Sequence, residues 1–123
     1  VNNLGLTFHR ALSFNQDISS WDTSSVDDMG WTFKGAESFD QNIGNWDFSS
    51  ATTMNQMFAE VTLSTANYDA ILNAFKNSVA QGAGSSYMTF SGGWSKYSSA
   101  GQAARSALGT TYGWNITDGG LQT

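Results

Sequence analysis

The chain has no cysteine, only one histidine (His9) and unusually little charge. Without cysteine there are no disulfides, no thiolate nucleophiles and no Cys-ligated metal sites. It does not fix the compartment, because many secreted bacterial proteins do without disulfides. With a single histidine, the common nucleophile–base pairs of enzymes have almost no members. Charged residues are 12% of the chain, about half the usual quarter, so Ser, Thr, Asn, Gln and Gly must cover the surface. Positive charge is the scarcest: residues 1–63 carry eight acids against two bases, while residues 64–123 carry two against three. A net charge of −5 repels phosphate backbones, so nucleic acid is not an expected partner. No apolar run reaches membrane-spanning length and nothing resembles a signal peptide, so membrane insertion is not expected; a signal, if used, is cleaved or lies outside these residues. The P-loop, the dinucleotide fingerprint, the EF-hand loop and the calcium β-roll nonapeptide are all missing.

What the chain does have is aromatic side chains, with eight Phe, five Trp and four Tyr in 123 residues. That is ample core material for a domain of this size, and global disorder is excluded. These residues recur. Aligning residues 8–32 with 33–57 gives a period of 25 with eleven identical pairs, in the pattern F-x-x-A-x-S-F-x-Q-x-I-x-x-W-D-x-S-S-x-x-x-M. All the strongly apolar positions are kept, and the variable ones are mostly polar. Stacking of equivalent units is the physical reading. Val1 and Leu4 fall where Val26 and Met29 fall in the next unit, so the chain opens in mid-repeat. Phe58 restarts the pattern, which then dissolves.

Within a unit, Ser24-Ser25 and Ser49-Ser50 read as helix N-caps. Val26, Met29, Phe33 and Ala36 follow at spacings of three and four, one face of a short helix, which Gly35 would end. Short strands are expected near Ile18–Trp21 and Ile43–Trp46, pairing in parallel from unit to unit. Beyond residue 63 the character changes. Ser64 or Thr65 caps a helix with Tyr68, Ile71, Leu72, Phe75 and Val79 on one face, ended by Gln81-Gly82-Ala83-Gly84. Tyr87–Phe90 reads as a strand and Gly92-Gly93 as a turn. Ser99-x-x-Gln102 has capping-box spacing and opens a helix rich in alanine. Trp114–Thr117 is a last strand. The expected fold is α/β: a short leucine-rich-repeat-like solenoid with parallel strands and short helices over residues 1–63 (partial coil 1–7, full repeats 8–32 and 33–57). A helix–strand–helix–strand cap over 64–123 closes it within one continuous domain.

The repeat pattern resembles that of the BspA-like leucine-rich-repeat surface proteins of bacteria. The tail, with L-S-T-A-N-Y-D-A-I-L at 63–72, F-S-G-G at 90–93, S-K-Y-S at 95–98 and Y-G-W-N-I-T-D-G-G at 112–120, looks like the segment that closes such arrays. The resemblance covers nearly the whole chain. It implies a bacterial protein that is secreted or attached to the cell surface, with an adhesive or host-contact role, and it brings no catalytic residue. Barely more than two full repeats are present, fewer than such arrays usually hold.

Candidate sites follow from departures from the repeat. Trp31, Phe48 and Trp94 are aromatics at positions the repeat does not conserve, which makes them the contact candidates; Trp21 and Trp46, which obey it, read as core. Asp22 and Asp47 share a position in W-D-x-S-S. They are either a calcium site or an Asx turn, and the turn is preferred because like charges one coil apart repel. Gln16/Gln41 with Asn15/Asp40 read as an amide ladder or a sugar-binding face. His9 reads as solvent-facing, and Asp27-Asp28 as the first turn of a helix. Val1, Leu4 and Leu6 form a candidate assembly face at the open end. No enzyme and no cofactor is expected. The function expected is adhesion or binding to a protein or glycan; the alternative is head-to-tail assembly with copies of itself into a surface filament.

Overall fold

A computed structural model of the chain describes residues 3–80 and 88–122. The period of the sequence is a period in space. Trp21 and Trp46 stack with ring centroids 6.3 Å apart and planes within 10°. Phe8, Phe33 and Phe58 form a column at 5.4 and 5.2 Å, and Phe14 lies over Phe39 at 5.8 Å. The backbone keeps the same step. Leu4, Leu6, Phe8 and Arg10 donate their N–H groups to the carbonyls of Asp28, Gly30, Thr32 and Lys34. Met29, Trp31, Phe33 and Gly35 do the same to Thr53, Asn55, Met57 and Ala59. Each donor thus meets an acceptor 24 residues further along.

The short helices expected in each unit are not formed among the described residues. Each such segment is instead a pair of consecutive turns. In the first unit Thr7, His9 and Ala11 donate back to Leu4, Leu6 and Phe8, while the residues between them donate sideways to the next unit. The cause lies in the backbone. Leu6, Trp31 and Gln56 have φ of 67°, 63° and 56°, and Arg10, Gly35 and Glu60 have 59°, 75° and 65°. A positive φ at the third residue of a turn is the mark of the type II turn, and it interrupts a right-handed helix at once. Gly35 therefore serves a turn and not a helix end. The strands expected at Ile18–Trp21 and Ile43–Trp46 are turns too, closed by Trp21 N–H on Ile18 at 3.1 Å and Trp46 N–H on Ile43 at 3.0 Å.

Parallel pairing between units does exist, on the other wall. Single parallel bridges join Asn3 to Asp28, Asp28 to Thr53 and Met54 to Phe90. Phe90 lies in β1 (Thr89–Ser91), which pairs in parallel with β2 (Asn115–Thr117). One ladder therefore runs through the whole chain, and its last rungs are linked by helices in place of turns. These are α1 (Thr65–Ala80), between the third rung and β1, and α2 (Ser99–Thr110), between β1 and β2. Among the described residues this is a mixed helix–strand fold with two helices and a two-stranded parallel sheet, in the predicted order. The expected stop at 81–84 and the start of the first strand at Tyr87 lie outside the described residues.

α1 buries Tyr68, Ile71, Leu72, Phe75 and Val79, the face its spacing predicts. Phe75 welds cap to units, with its ring 4.7 Å from Phe48, 4.9 Å from Phe90 and 5.2 Å from Trp114. α2 is capped by Ser98, one residue before the expected box, through a 3.2 Å bond from the Ala100 N–H. Asp69 fixes Ser98 there by accepting its N–H at 2.9 Å and its hydroxyl at 2.5 Å. The turn after β1 needs glycine twice. A Cβ on Gly92 would stand 2.5 Å from the Tyr68 hydroxyl, and one on Gly93, at φ 64°, would collide with the carbonyls of Phe58 and Val61.

Candidate functional site: a groove across three units

On the bridge wall, alternate side chains point away from the core. Leu4, Met29 and Met54 go in and are buried; their neighbours on either side go out. Those neighbours line an open groove of about 420 Å³, which falls in the size range of small-ligand sites. Its floor is polar: Asn3 and Asp28 from two bridged rungs, with Asn55 from the third unit. Its wall is apolar: Leu6, 55% exposed, and Trp31. Gly5 and Gly30 sit at the same place in successive units and keep the floor low. A Cβ on Gly30 would come within 2.8 Å of the Asn55 amide oxygen. The Lys34 ammonium lies over the Trp31 ring, 4.4 Å from its centroid, and the His9 ring is 6.0 Å away.

Four main-chain N–H groups along the groove are already engaged. The N–H groups of Gly5 and Gly30 go to the side-chain oxygens of Asn3 at 2.7 Å and Asp28 at 2.9 Å. Those of Leu6 and Trp31 go to the next unit. What remains open is the second Asp28 oxygen, the Asn3 amide nitrogen and both ends of the Asn55 amide, none of which has a partner among the described residues.

Of the residues singled out by sequence, Trp31 alone among the three aromatics lies in this groove. Trp94 is 62% exposed but borders a different hollow, of about 380 Å³, beside Leu63, Lys96 and Gln122. Phe48 is a correction: it is buried, with its ring against Phe75 and Trp46. Its position is not repeated because it meets the cap helix and not another unit. Leu4 is a second correction, since it is buried and part of the core, whereas Leu6 is exposed. Val1 lies outside the described residues. Trp46 is buried as expected, but Trp21 is 42% exposed.

Residues 1–84 match the family model described as a Mycoplasma protein of unknown function, DUF285. The chain belongs to this family. Neither a curated protein nor a solved structure matches it. The stretch matched by the DUF285 model takes in every groove residue named above, the three stacked units and α1.

The carboxylates of this DUF285 chain are used as turn staples. Asp22 Oδ1 accepts the Ser24 hydroxyl at 2.6 Å and its N–H at 3.0 Å, and Asp47 Oδ1 accepts the Ser49 N–H at 2.8 Å. The Ser24 hydroxyl and then its N–H hold Asp22 below the ordinary carboxylate range, and Ser19 does the same for Asp17. These are Asx turns. Ser24 and Ser49 are therefore receivers of a cap and not helix caps themselves. No group of three or more His, Cys, Asp or Glu suited to a metal occurs among the described residues. The Asn15–Gln41 contact is an amide ladder between units, with the Gln41 amide donating to the Asn15 side-chain oxygen at 3.0 Å. Asn3, Asp28 and Asn55 were not foreseen as a site. Asp28 read as part of a helix start, and the one available sign was Gly5 and Gly30 recurring at the period.

Proposed function

We propose that the chain is a non-enzymatic, extracellular or cell-surface repeat module, a short BspA-like solenoid with a closing cap, that binds a protein or glycan. The observation that supports this reading best is the groove. It presents a tryptophan and an exposed leucine beside unpaired amide and carboxylate groups, on a wall where the N–H groups of Gly5, Leu6, Gly30 and Trp31 are engaged by the fold. Repeat stacks offer extended faces of this kind. The test is a broad panel of immobilised extracellular proteins and glycans probed with the chain and with Trp31→Asn. Asparagine suits the positive φ, so the variant keeps the fold. Ligands retained by the parent and lost by the variant are expected; silence across the panel overturns the reading.

A second reading, head-to-tail assembly with copies of itself, has one observation in its favour. The carbonyls of Gly5, Thr7 and His9, whose counterparts Gly30, Thr32 and Lys34 each accept a bond from the previous unit, receive none among the described residues. Light scattering over a rising concentration series tests it, and a strictly monomeric protein removes it.

A further inference from the structure

Resting on the binding reading above, we propose that the groove takes a neutral glycan, with one pyranose ring laid on Trp31 and its hydroxyls held by Asp28, Asn3 and Asn55. Three features of the site select this chemistry. The first is what the backbone withholds. An extended peptide bound at a sheet is recognised through free main-chain donors and acceptors, but the donors of Gly5, Leu6, Gly30 and Trp31 are all engaged within the fold. With those four donors spent, a ligand here is read mainly by side chains.

The second is the kind of polar group that remains. A sugar hydroxyl both donates and accepts. The open Asp28 oxygen accepts, the Asn3 nitrogen donates, and the Asn55 amide does both. These groups come from three successive rungs, and the Asx turns hold Asn3 and Asp28 in place. Those two are pre-set, so little of their order is lost on binding. The third is the apolar wall. Trp31 is a bulky residue at φ 63°, a conformation that such residues rarely adopt. The next unit places Gln56 there at φ 56°. The fold asks for the backbone shape and not for an indole. A flat ring beside planar polar groups matches a pyranose, which has an apolar C–H face and a polar rim. Charge narrows the class further. The Asp28 carboxylate on the floor, in a half of the chain with eight acids against two bases, disfavours sialylated or sulfated sugars.

The probes are cellotetraose, maltotetraose, mannotetraose and a galactose tetramer, with sialyllactose and a heparin tetrasaccharide as charged controls. Binding is read by NMR on the full chain through the Trp31 indole N–H and the side-chain amides of Asn3 and Asn55. At least one neutral tetrasaccharide is expected to shift all three. Trp31→Asn should weaken it about tenfold, the worth of one aromatic contact, and Asn55→Ala should weaken it as well. Trp94→Ala should leave it unchanged. Binding of no neutral probe, binding untouched by Trp31→Asn and Asn55→Ala, or preference for a charged control each overturns the proposal. If the neutral probes are silent while a protein ligand is lost on Trp31→Asn, the glycan assignment falls and the binding module stands.

Discussion

Two residues in every unit occupy the left-handed region, and only one of the six is glycine. The positions are Leu6, Trp31 and Gln56, and then Arg10, Gly35 and Glu60. A side chain there carries a strain of about 1–2 kcal/mol, which glycine avoids at a smaller entropic cost. Glu60→Gly, at an exposed position, is therefore expected to raise stability by up to about 1 kcal/mol. Gly35→Ala should lower it by about 1–2 kcal/mol, since its Cβ would also stand 3.2 Å from the Arg10 side chain. Urea denaturation of both variants checks the pair of signs. These positions could not be read from the sequence, because Leu, Arg, Trp, Gln and Glu give no hint of a positive φ. A second residue-scale expectation concerns Tyr68, whose hydroxyl donates to Asp118 at 2.7 Å. Burial first, and then Asp118, push its phenol well above the ordinary value. Its folded pKa is raised, so its contribution to stability is complete below about pH 10 and is lost as pH rises beyond that. Ultraviolet titration should show Tyr68 silent until alkaline unfolding. Tyr68→Phe should remove that alkaline sensitivity along with one hydrogen bond to a carboxylate.

At the scale of elements, the periodicity identified the buried residues but not the shape of the segment between them. Met29, Phe33 and Ala36 point inward at spacings of four and three, which a helix and a pair of successive turns both produce. A helix would bond every N–H within itself. The turns send alternate N–H groups to the neighbouring unit, and that difference leaves no trace in an apolar pattern. The Ile–Trp segments, expected as strands, are single turns closed by the Trp N–H on the Ile carbonyl, and four residues are too few for an alternation to tell the two apart. The cap was legible because its helices run to 16 and 12 residues, long enough for a face to show. Side chains, too, tie one unit to the next. The Trp46 indole N–H donates to the Ile18 carbonyl at 2.9 Å, in buried surroundings, while Trp21 occupies the same place in the first described unit and is largely exposed. Trp46→Phe removes that bond, leaving the Ile18 carbonyl with the Trp21 N–H alone, and should cost about 0.5–1.5 kcal/mol. Trp21→Phe should cost clearly less, and equal costs in thermal melts would mean that the indole bond is not a tie between units.

Taken whole, the molecule is a ladder with a direction. Between the repeated units, the main-chain bonds of the paired turns run from an earlier N–H to a later carbonyl, while Thr52 and Thr53 donate back to the Asp27 carbonyl. The C-terminal end is treated differently. Asn115 and Thr117 spend their main-chain groups on the β1 side, which turns Ile116 outward, and the Arg105 guanidinium donates to the Ile116 carbonyl at 3.2 Å while its Nε meets Asp118 at 2.8 Å. A charged side chain laid along a sheet edge guards it against further pairing. Between the two ends, the units repeat the same backbone step and the same phenylalanine column, so the number of units is adjustable. Inserting a second copy of residues 33–57 directly after Met57 keeps every register: the new unit finds carbonyl acceptors behind it, N–H donors before it, and a phenylalanine column on both sides. Stability in such arrays is close to a sum over units and interfaces, so the enlarged chain should melt several degrees higher and show a steeper denaturant dependence, in proportion to the extra surface buried. A segment that did not stack would instead behave as a long loop closed at an entropic cost. The melting temperature would then fall and the denaturant slope would stay where it was, and the two outcomes differ in sign.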